Sequence, residues 1–223
     1  PIVIGHPGNW MHDPQTGITR TMVVHGAQRL STEREVPLNR PLLTTNRITQ
    51  ILDKGDKGAI LVIERETRDE ESGERIAISE SFVFCRADGN FGGQSGPAYE
   101  FAALPVRAPD RSIEMPTDGN MALFYRLNND RNPLHAEPES ARKAGFDRPI
   151  LHGLATYGVV AVAVAQTFPE RTIGSIETRF SKPVFPGETV TVEIWEEGDA
   201  VAFRARIPVR DAVVLDRGKI QFR

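Results

Sequence analysis

Residues 153–168 read GLATYGVVAVAVAQTF, and the fold turns on what such a segment needs around it. Valine, alanine and glycine fall on nearly every face at helical spacing, and no charged residue interrupts them. A helix that is apolar all round is buried all round, so the segment predicts a central helix of about 24 Å. Pro169, directly after it, supplies the stop. Something must wrap this helix, and the sequence that follows offers strands at 172–180, 189–195, 200–207 and 213–222. Val190, Val192 and Ile194 alternate with Thr and Glu, and Val201, Phe203, Ala205 and Ile207 alternate with Ala and Arg. Period two of this quality means one buried face and one wet face. A strongly curved antiparallel sheet around one buried helix satisfies both signals, which places the chain in the α+β class.

The first half repeats the theme. Strands are expected at 44–52, 58–67 and 75–85, rich in β-branched and aromatic residues, with turn chemistry at 53–57 and 69–73. Residues 28–65 and 176–207 share an order of strand, Pro-containing link, strand, Gly-Asp turn and strand, so the chain reads as a duplicated unit. Between the halves, 90–97 and the three-proline stretch 104–116 look like linker. The expected division is an N-terminal repeat over 1–103 and a C-terminal repeat over 104–223.

Composition narrows the function. The 223 residues carry 27 Lys and Arg against 30 Asp and Glu, a formal charge of -3, without the basic excess of a nucleic-acid binder. The apolar run 158–165 is too short for a membrane span, so no membrane partner is expected. The single cysteine, Cys85, excludes an internal disulfide and a thiolate-rich zinc site. It sits in an alternating run and reads as a buried strand residue. His6 and His12 have no partners at metal-ligand spacing, so no metal is expected. With no signal peptide ahead of Pro1 and no Ser-Lys-Leu at the end, the expected compartment is the cytoplasm.

The segment 122–153, ALFYRLNNDRNPLHAEPESARKAGFDRPILHG, carries the chemistry. Asp130 and His135 bracket Asn132-Pro133, and Pro133 fixes its own φ while biasing Asn132 away from helix. A stiff loop that holds a carboxylate and an imidazole together suits general acid-base work on a water. Taken by itself such a pair is more often a structural hydrogen bond, and Asn132 reads as a brace. The second element is His152-Gly153 at the entry of the buried helix. Free N–H groups there form a site for an oxygen gaining negative charge, and glycine lets an acyl group come close. His152 itself reads as a residue that caps or packs at the helix entry.

These residues resemble a known family. Tyr125-Arg126-Leu127-Asn128-Asn129-Asp130-Arg131-Asn132-Pro133-Leu134-His135 is similar to the Tyr-Arg-Leu-Ser-Gly-Asp-x-Asn-Pro-Leu-His pattern of the MaoC-like, or hydratase 2, family of (R)-specific 2-enoyl-CoA hydratases. Further agreement stands at 144–153 (AGFDRPILHG), 179–187 (RFSKPVFPG), 24–28 (VHGAQ), 52–55 (LDKG) and 90–93 (NFGG), in order and in spacing. The resemblance implies a double hot-dog: two curved antiparallel sheets, each normally wrapped around a central helix. It also implies that family members carry residues upstream of the position of Pro1, including the first repeat's own helix, without which the first sheet would show a bare apolar face. Where the family has Ser-Gly before the aspartate, this chain has Asn128-Asn129. Asparagine tolerates the left-handed conformation better than other non-glycine residues, so the loop is expected to keep its shape.

The implied reaction is reversible syn addition of water to a trans-2-enoyl-CoA, giving a (3R)-hydroxyacyl-CoA, with no cofactor beyond the CoA of the substrate. Asp130 and His135 would share the water and Gly153 N–H would hold the thioester oxygen, with the split between acid and base open because the pair is coupled. By the same resemblance His25, Gly26, Lys54 and Phe180 line the acyl-CoA site. On the residues alone His25 is equally a core residue, and Lys54 a solvated turn lysine that could reach a CoA phosphate. The implied assembly is a homodimer. Two other readings are a non-catalytic acyl-CoA-binding subunit and a hot-dog thioesterase. The latter would want a carboxylate on the buried helix, and 153–168 has none.

Overall fold

The computed structural model describes Met11 and residues 13–223, so His6 and His12 lie outside the described residues. The chain forms two compact units, Pro1–Glu100 and Phe101–Arg223. Phe101 belongs with the second because its side chain is buried and its carbonyl accepts from Arg217 Nη1 at 3.2 Å.

The first unit is an antiparallel sheet of β1 (Val23–Thr32), β2 (Leu42–Asp53), β3 (Ala59–Asp69) and β4 (Arg75–Cys85), in the order β2-β3-β4-β1. Ala59, Leu61, Ile63, Val83 and Cys85 pack together on one face, with Ile18 and Val23 against them. The β3–β4 turn closes on Asp69, whose Oδ1 accepts from the N–H of Ser72 at 2.8 Å and of Glu71 at 3.1 Å. These bonds, led by that of Ser72, hold its carboxyl below the usual range. Glycine is required at 58, where φ is 107° and a Cβ would stand 2.2 Å from the Cys85 carbonyl. Helical structure in this unit is confined to short 3-10 turns among the described residues, so the family's helix for this repeat is not among them. On β2, Leu43, Ile48 and Ile51 are exposed; by register Ile48 and Ile51 share the face of Ile63 and Leu61, and Leu43 lies on the other.

Residues 90–97, expected as linker, instead fold back on the first unit. Asp53 gathers them: its Oδ1 accepts from Gly55 N–H (2.8 Å) and Asn90 N–H (2.9 Å), and its Oδ2 from Gly92 N–H (2.8 Å). Asp53 N–H in turn donates to the Gln94 carbonyl at 2.7 Å. The two separate motifs, 52–55 and 90–93, are thus halves of one loop brace. Backbone donors hold the Asp53 carboxyl below its ordinary value, against the opposing effect of burial.

The second unit contains β5 (Arg111–Pro116), three helices, and β6 (Ile173–Phe180), β7 (Thr189–Glu197), β8 (Ala200–Ile207) and β9 (Ala212–Phe222), in the order β6-β9-β8-β7-β5. Read from β6, the first four strands repeat the connectivity of the first unit, which is the duplication legible in the sequence. The addition is β5, which corrects the reading of 104–116 as linker throughout. Ile113 and Met115 are its inward, half-buried positions and it pairs with β7 from Arg111↔Ile194 to Pro116↔Thr189. Its prolines obscure this, but a strand bonded on one side tolerates Pro at its end.

Val190, Val192 and Ile194 of β7 are fully buried, each such side chain contributing about 1.5–3 kcal/mol. Against the sheet lies α3 (Gly153–Thr167), anchored where Tyr157 Oη donates to the Ile176 carbonyl of β6 at 2.8 Å. The helix is not buried on every face. Ala155, Thr156, Tyr157, Val159 and Val160 are, but Val162 is 48% exposed and Ala165 and Gln166 are exposed too. Apolar composition marked the helix correctly and overstated its burial toward the C-terminal end.

Candidate active site

The loop from Asp130 to His135 follows α1 (Met121–Tyr125), which the sequence did not suggest, and a 3-10 turn over Arg126–Asn128. That turn ends on Asn129, at φ 71° and ψ 8°. That conformation is left-handed, and asparagine fills it, as the reading of Asn129 in place of the pattern's glycine expected. Asn132 then braces the loop twice. Its N–H donates to Asp130 Oδ1 (3.3 Å) and its Oδ1 accepts from Leu134 N–H (3.1 Å), capping the turn Pro133–His135. After it comes α2 (Pro138–Lys143), with proline in its first turn.

His135 Nδ1 lies 2.8 Å from the Ile150 carbonyl. A carbonyl only accepts, so Nδ1 carries the hydrogen and Nε2 keeps its lone pair. Burial pushes the imidazole below its ordinary value of 6.5, against the opposing pull of the Ile150 hydrogen bond and of Asp130. The ring is therefore neutral at neutral pH with one free basic nitrogen. A cavity of about 220 Å³ borders it, lined also by Ala122, Leu123, Arg148, Pro149 and Pro186.

The sequence left His152 as a capping or packing group, and the structure places it inside the cluster. It is 1% exposed and makes no side-chain cap. Its ring stacks on that of His135, with centroids 3.7 Å apart and 25° between planes, and lies 4.7 Å from the Tyr125 ring. His152 Nε2 is 3.3 Å from the Asp130 carbonyl and 3.9 Å from its Oδ2. Burial, then the charge of His135, pushes this imidazole down to about 4. Burial and the nearby Asp130 push the Tyr125 hydroxyl up to about 12. Tyr125 is thus a further wall of the site, missed because only its place beside Asp130 in the quoted pattern hinted at it.

One polar side-chain atom from each of Asp130, His135 and His152 lies within 4.8 Å of the other two.

Beyond His152 the chain enters α3. The His152 carbonyl accepts from Ala155 N–H (3.0 Å) and Thr156 N–H (3.2 Å), so the N–H groups of Gly153 and Leu154 precede the first intrahelical bonds. A Cβ on Gly153 would stand 3.1 Å from Cδ1 and Cε1 of Phe180, so a side chain there would push that ring back from the helix entry. Asp130, Asn132, His135, Gly153 and Phe180 therefore come together in the second unit. His25, Gly26 and Lys54 lie in the first. Gly26 occupies a β-bulge, where the β1–β4 register shifts between His25 and Ala27. Lys54 Nζ donates to the Gly96 carbonyl, so it braces the same loop as Asp53.

Two sheets of matching strand order, the second holding a helix whose His-Gly entry meets an acid-base loop, define a double hot-dog protein. The chain belongs to the MaoC-like family: residues 100–216 match the MaoC like domain, and residues 8–87 match the MFE-2 hydratase 2 N-terminal domain. It is 41% identical over 211 residues to 3-hydroxyacyl-thioester dehydratase Y of Mycobacterium tuberculosis, covering 90% of this chain and 72% of that one. Against a probable enoyl-CoA hydratase 2 of Dictyostelium discoideum the identity is 38% over 204 residues, covering 88% and 69%. The crystal structure of a MaoC-like dehydratase from Phytophthora capsici superposes with a TM-score of 0.84 at 33% identity, over 91% of this chain and 72% of that one. No helix among the described residues is long and apolar enough to cross a membrane.

Proposed function

We propose that the chain is an (R)-specific 2-enoyl-CoA hydratase, adding water reversibly across the trans-2 double bond of an acyl-CoA thioester to give the (3R)-hydroxyacyl-CoA. The observation that carries this is the meeting of a neutral His135, with Nε2 free, and Asp130 at the uncapped N-terminus of α3. In this mechanism His135 Nε2 takes a proton from the water as its oxygen bonds to C3, while Asp130 orients that water. The π pair of the C2–C3 bond moves toward the thioester, whose oxygen gains charge against Gly153 N–H. A proton returns to C2 on the same face from the Asp130–His135 pair, so the elements of one water are added. Asn132 holds the loop and Phe180 borders the thioester end. His25, Gly26 and Lys54 of the first unit contribute to acyl-CoA binding, Lys54 by exchanging the Gly96 carbonyl for a CoA phosphate.

Relatives with hydratase and dehydratase names support the direction of this reading, since the reaction is reversible. The chemistry requires no cofactor beyond the CoA of the substrate. We further propose a homodimer, tested by light scattering, and a cytoplasmic setting, which fits one reduced, buried cysteine. The test of function is hydration of crotonyl-CoA and trans-2-decenoyl-CoA, followed by loss of enoyl-thioester absorbance, beside Asp130→Ala and His135→Ala. Loss of a (3R) product in both variants supports the mechanism. A folded wild type that binds CoA esters and hydrates neither substrate replaces it with a non-catalytic acyl-CoA binder.

A further inference from the structure

We infer that His152 is a positioning residue which locks Asp130, His135 and the Gly153 N–H into one rigid group, acting through a neutral Nε2–H donated to the Asp130 carbonyl and a ring stacked on His135. The inference rests on the hydratase reading of the same site and adds a residue to which that reading gives no role.

Two side-chain contacts and the backbone of this one residue converge on the site. Nε2 faces the Asp130 carbonyl at 3.3 Å, and a carbonyl fixes the hydrogen on that nitrogen. The ring lies 3.7 Å from that of His135, centroid to centroid, so it backs the face of the imidazole whose Nε2 must meet water. Its backbone opens α3, since the carbonyl receives Ala155 and Thr156 N–H, and the preceding Leu151 N–H donates to the Val184 carbonyl at 2.7 Å. The ring therefore shares a pinned stretch of backbone with Gly153. Nδ1 is buried with no hydrogen-bond partner among the described residues, which the Nε2–H tautomer explains: that nitrogen holds a lone pair and has no hydrogen to satisfy.

The surroundings also favour a neutral His152. The groups facing it are Tyr125 from α1, Arg126 from the following turn, Asp130 and His135. Of these only Asp130 favours a charged His152. Burial, His135 and Arg126 oppose it, so the ring stays neutral where the enzyme works. A side chain that does not titrate and whose donor is already committed can still fix geometry, and displacement of reacting groups by about 1 Å is worth roughly 100-fold in rate.

The test pairs His152→Gln, which keeps an N–H donor within reach of the Asp130 carbonyl, with His152→Phe, which keeps the stacked ring and loses the donor. Kinetics with crotonyl-CoA are run beside wild type and beside a thermal melt of each variant. The expected result is a kcat reduced about 10- to 100-fold in His152→Phe with KM within about threefold, and a kcat within about fivefold of wild type in His152→Gln. Equal losses in both variants, or a raised KM at unchanged kcat, overturn the inference. Nitrogen-detected NMR of the unmodified protein decides the matter even if both variants fail to fold. His152 must appear as the neutral Nε2–H tautomer across the neutral range, and an Nδ1–H tautomer or a charged ring there refutes the role. A wild type without hydratase activity would instead sink the hydratase reading, which the NMR result does not touch.

Discussion

Replacing Gly153 with alanine sets two opposing effects against each other at the entry of α3. The added Cβ would stand 3.1 Å from both Cδ1 and Cε1 of Phe180 and 3.6 Å from Cγ. Ordinary carbon contacts lie near 3.5–4.0 Å, so the ring edge must retreat by about 0.5 Å. Overpacking of this kind costs about 1–3 kcal/mol, whereas removing a glycine from a helix returns about 0.5–1 kcal/mol. The net destabilisation is then about 0–2.5 kcal/mol, small enough for the protein to stay folded at assay temperature. The effect on rate is larger, because a displaced oxyanion donor costs about 100- to 1,000-fold in kcat. Hydration kinetics and urea midpoints of Gly153→Ala, Phe180→Leu and the double variant measure both effects. Leucine removes the ring carbons that clash, so the double variant should be more stable than the sum of the singles by about 1 kcal/mol and recover part of the lost kcat. Wild-type kcat and KM in Gly153→Ala would refute the assignment of Gly153 N–H to the thioester oxygen. Strict additivity would remove Phe180 as the source of the clash.

The pH dependence of kcat/KM should show an acid limb centred below 6.5, because burial lowers His135 from that value and the base must be neutral; a limb centred above 6.5 contradicts the buried base. Stability should follow with a definite sign. The folded His152 sits at about 4 against 6.5 unfolded, so the unfolded state binds more protons between those values. Its contribution is complete above pH 6.5 and is lost as pH falls toward 4, on the order of 3 kcal/mol, and His152→Phe should flatten that slope in urea titrations. Asn129→Val should cost about 1–2 kcal/mol in stability while Asn129→Gly costs nothing, since only the former is strained at φ 71°; equal midpoints would mean that the loop relaxes out of the left-handed region. Cys85, fully buried with its thiol pushed up to about 11 by burial and by Asp88, should resist a thiol reagent until the protein is denatured, and rapid labelling of the native protein would count against the packed sheet.

The parts of the fold that were legible are those where one residue type has one physical use. Alternation placed β4 and β8 with the observed bounds, and the uninterrupted apolar segment placed α3 to within a residue of its end. Composition failed where a partner decides the outcome. Arg111–Pro116 has too little apolar content to announce a strand, and it is one only because β7 offers a free edge. The segment 90–97 has the glycines of a linker, yet Asp53 supplies the acceptors that its backbone donors need. In both cases the missing information was which distant group would satisfy a backbone hydrogen bond, and local composition does not carry that.

The site divides along the same line. Asp130, Asn132, Pro133 and His135 are close in sequence, so the stiffness of their loop could be read directly, and the cap made by Asn132 is the form that stiffness takes. The His152 ring belongs to the same site through contacts across the fold, with nothing local to mark it as more than a helix entry. Its neighbour Gly153 could be singled out because a glycine beside a helix start has a chemical use of its own. A histidine there has several, and only the stacking on His135 and the bond to the Asp130 carbonyl choose among them. The same contacts explain how the proposed acid-base pair on a half-exposed loop can keep its geometry. Asp130 is held from its own loop by Asn132 and from the far side by His152, and His135 by the Ile150 carbonyl and the His152 ring, so neither relies on solvent-exposed contacts alone to stay in place.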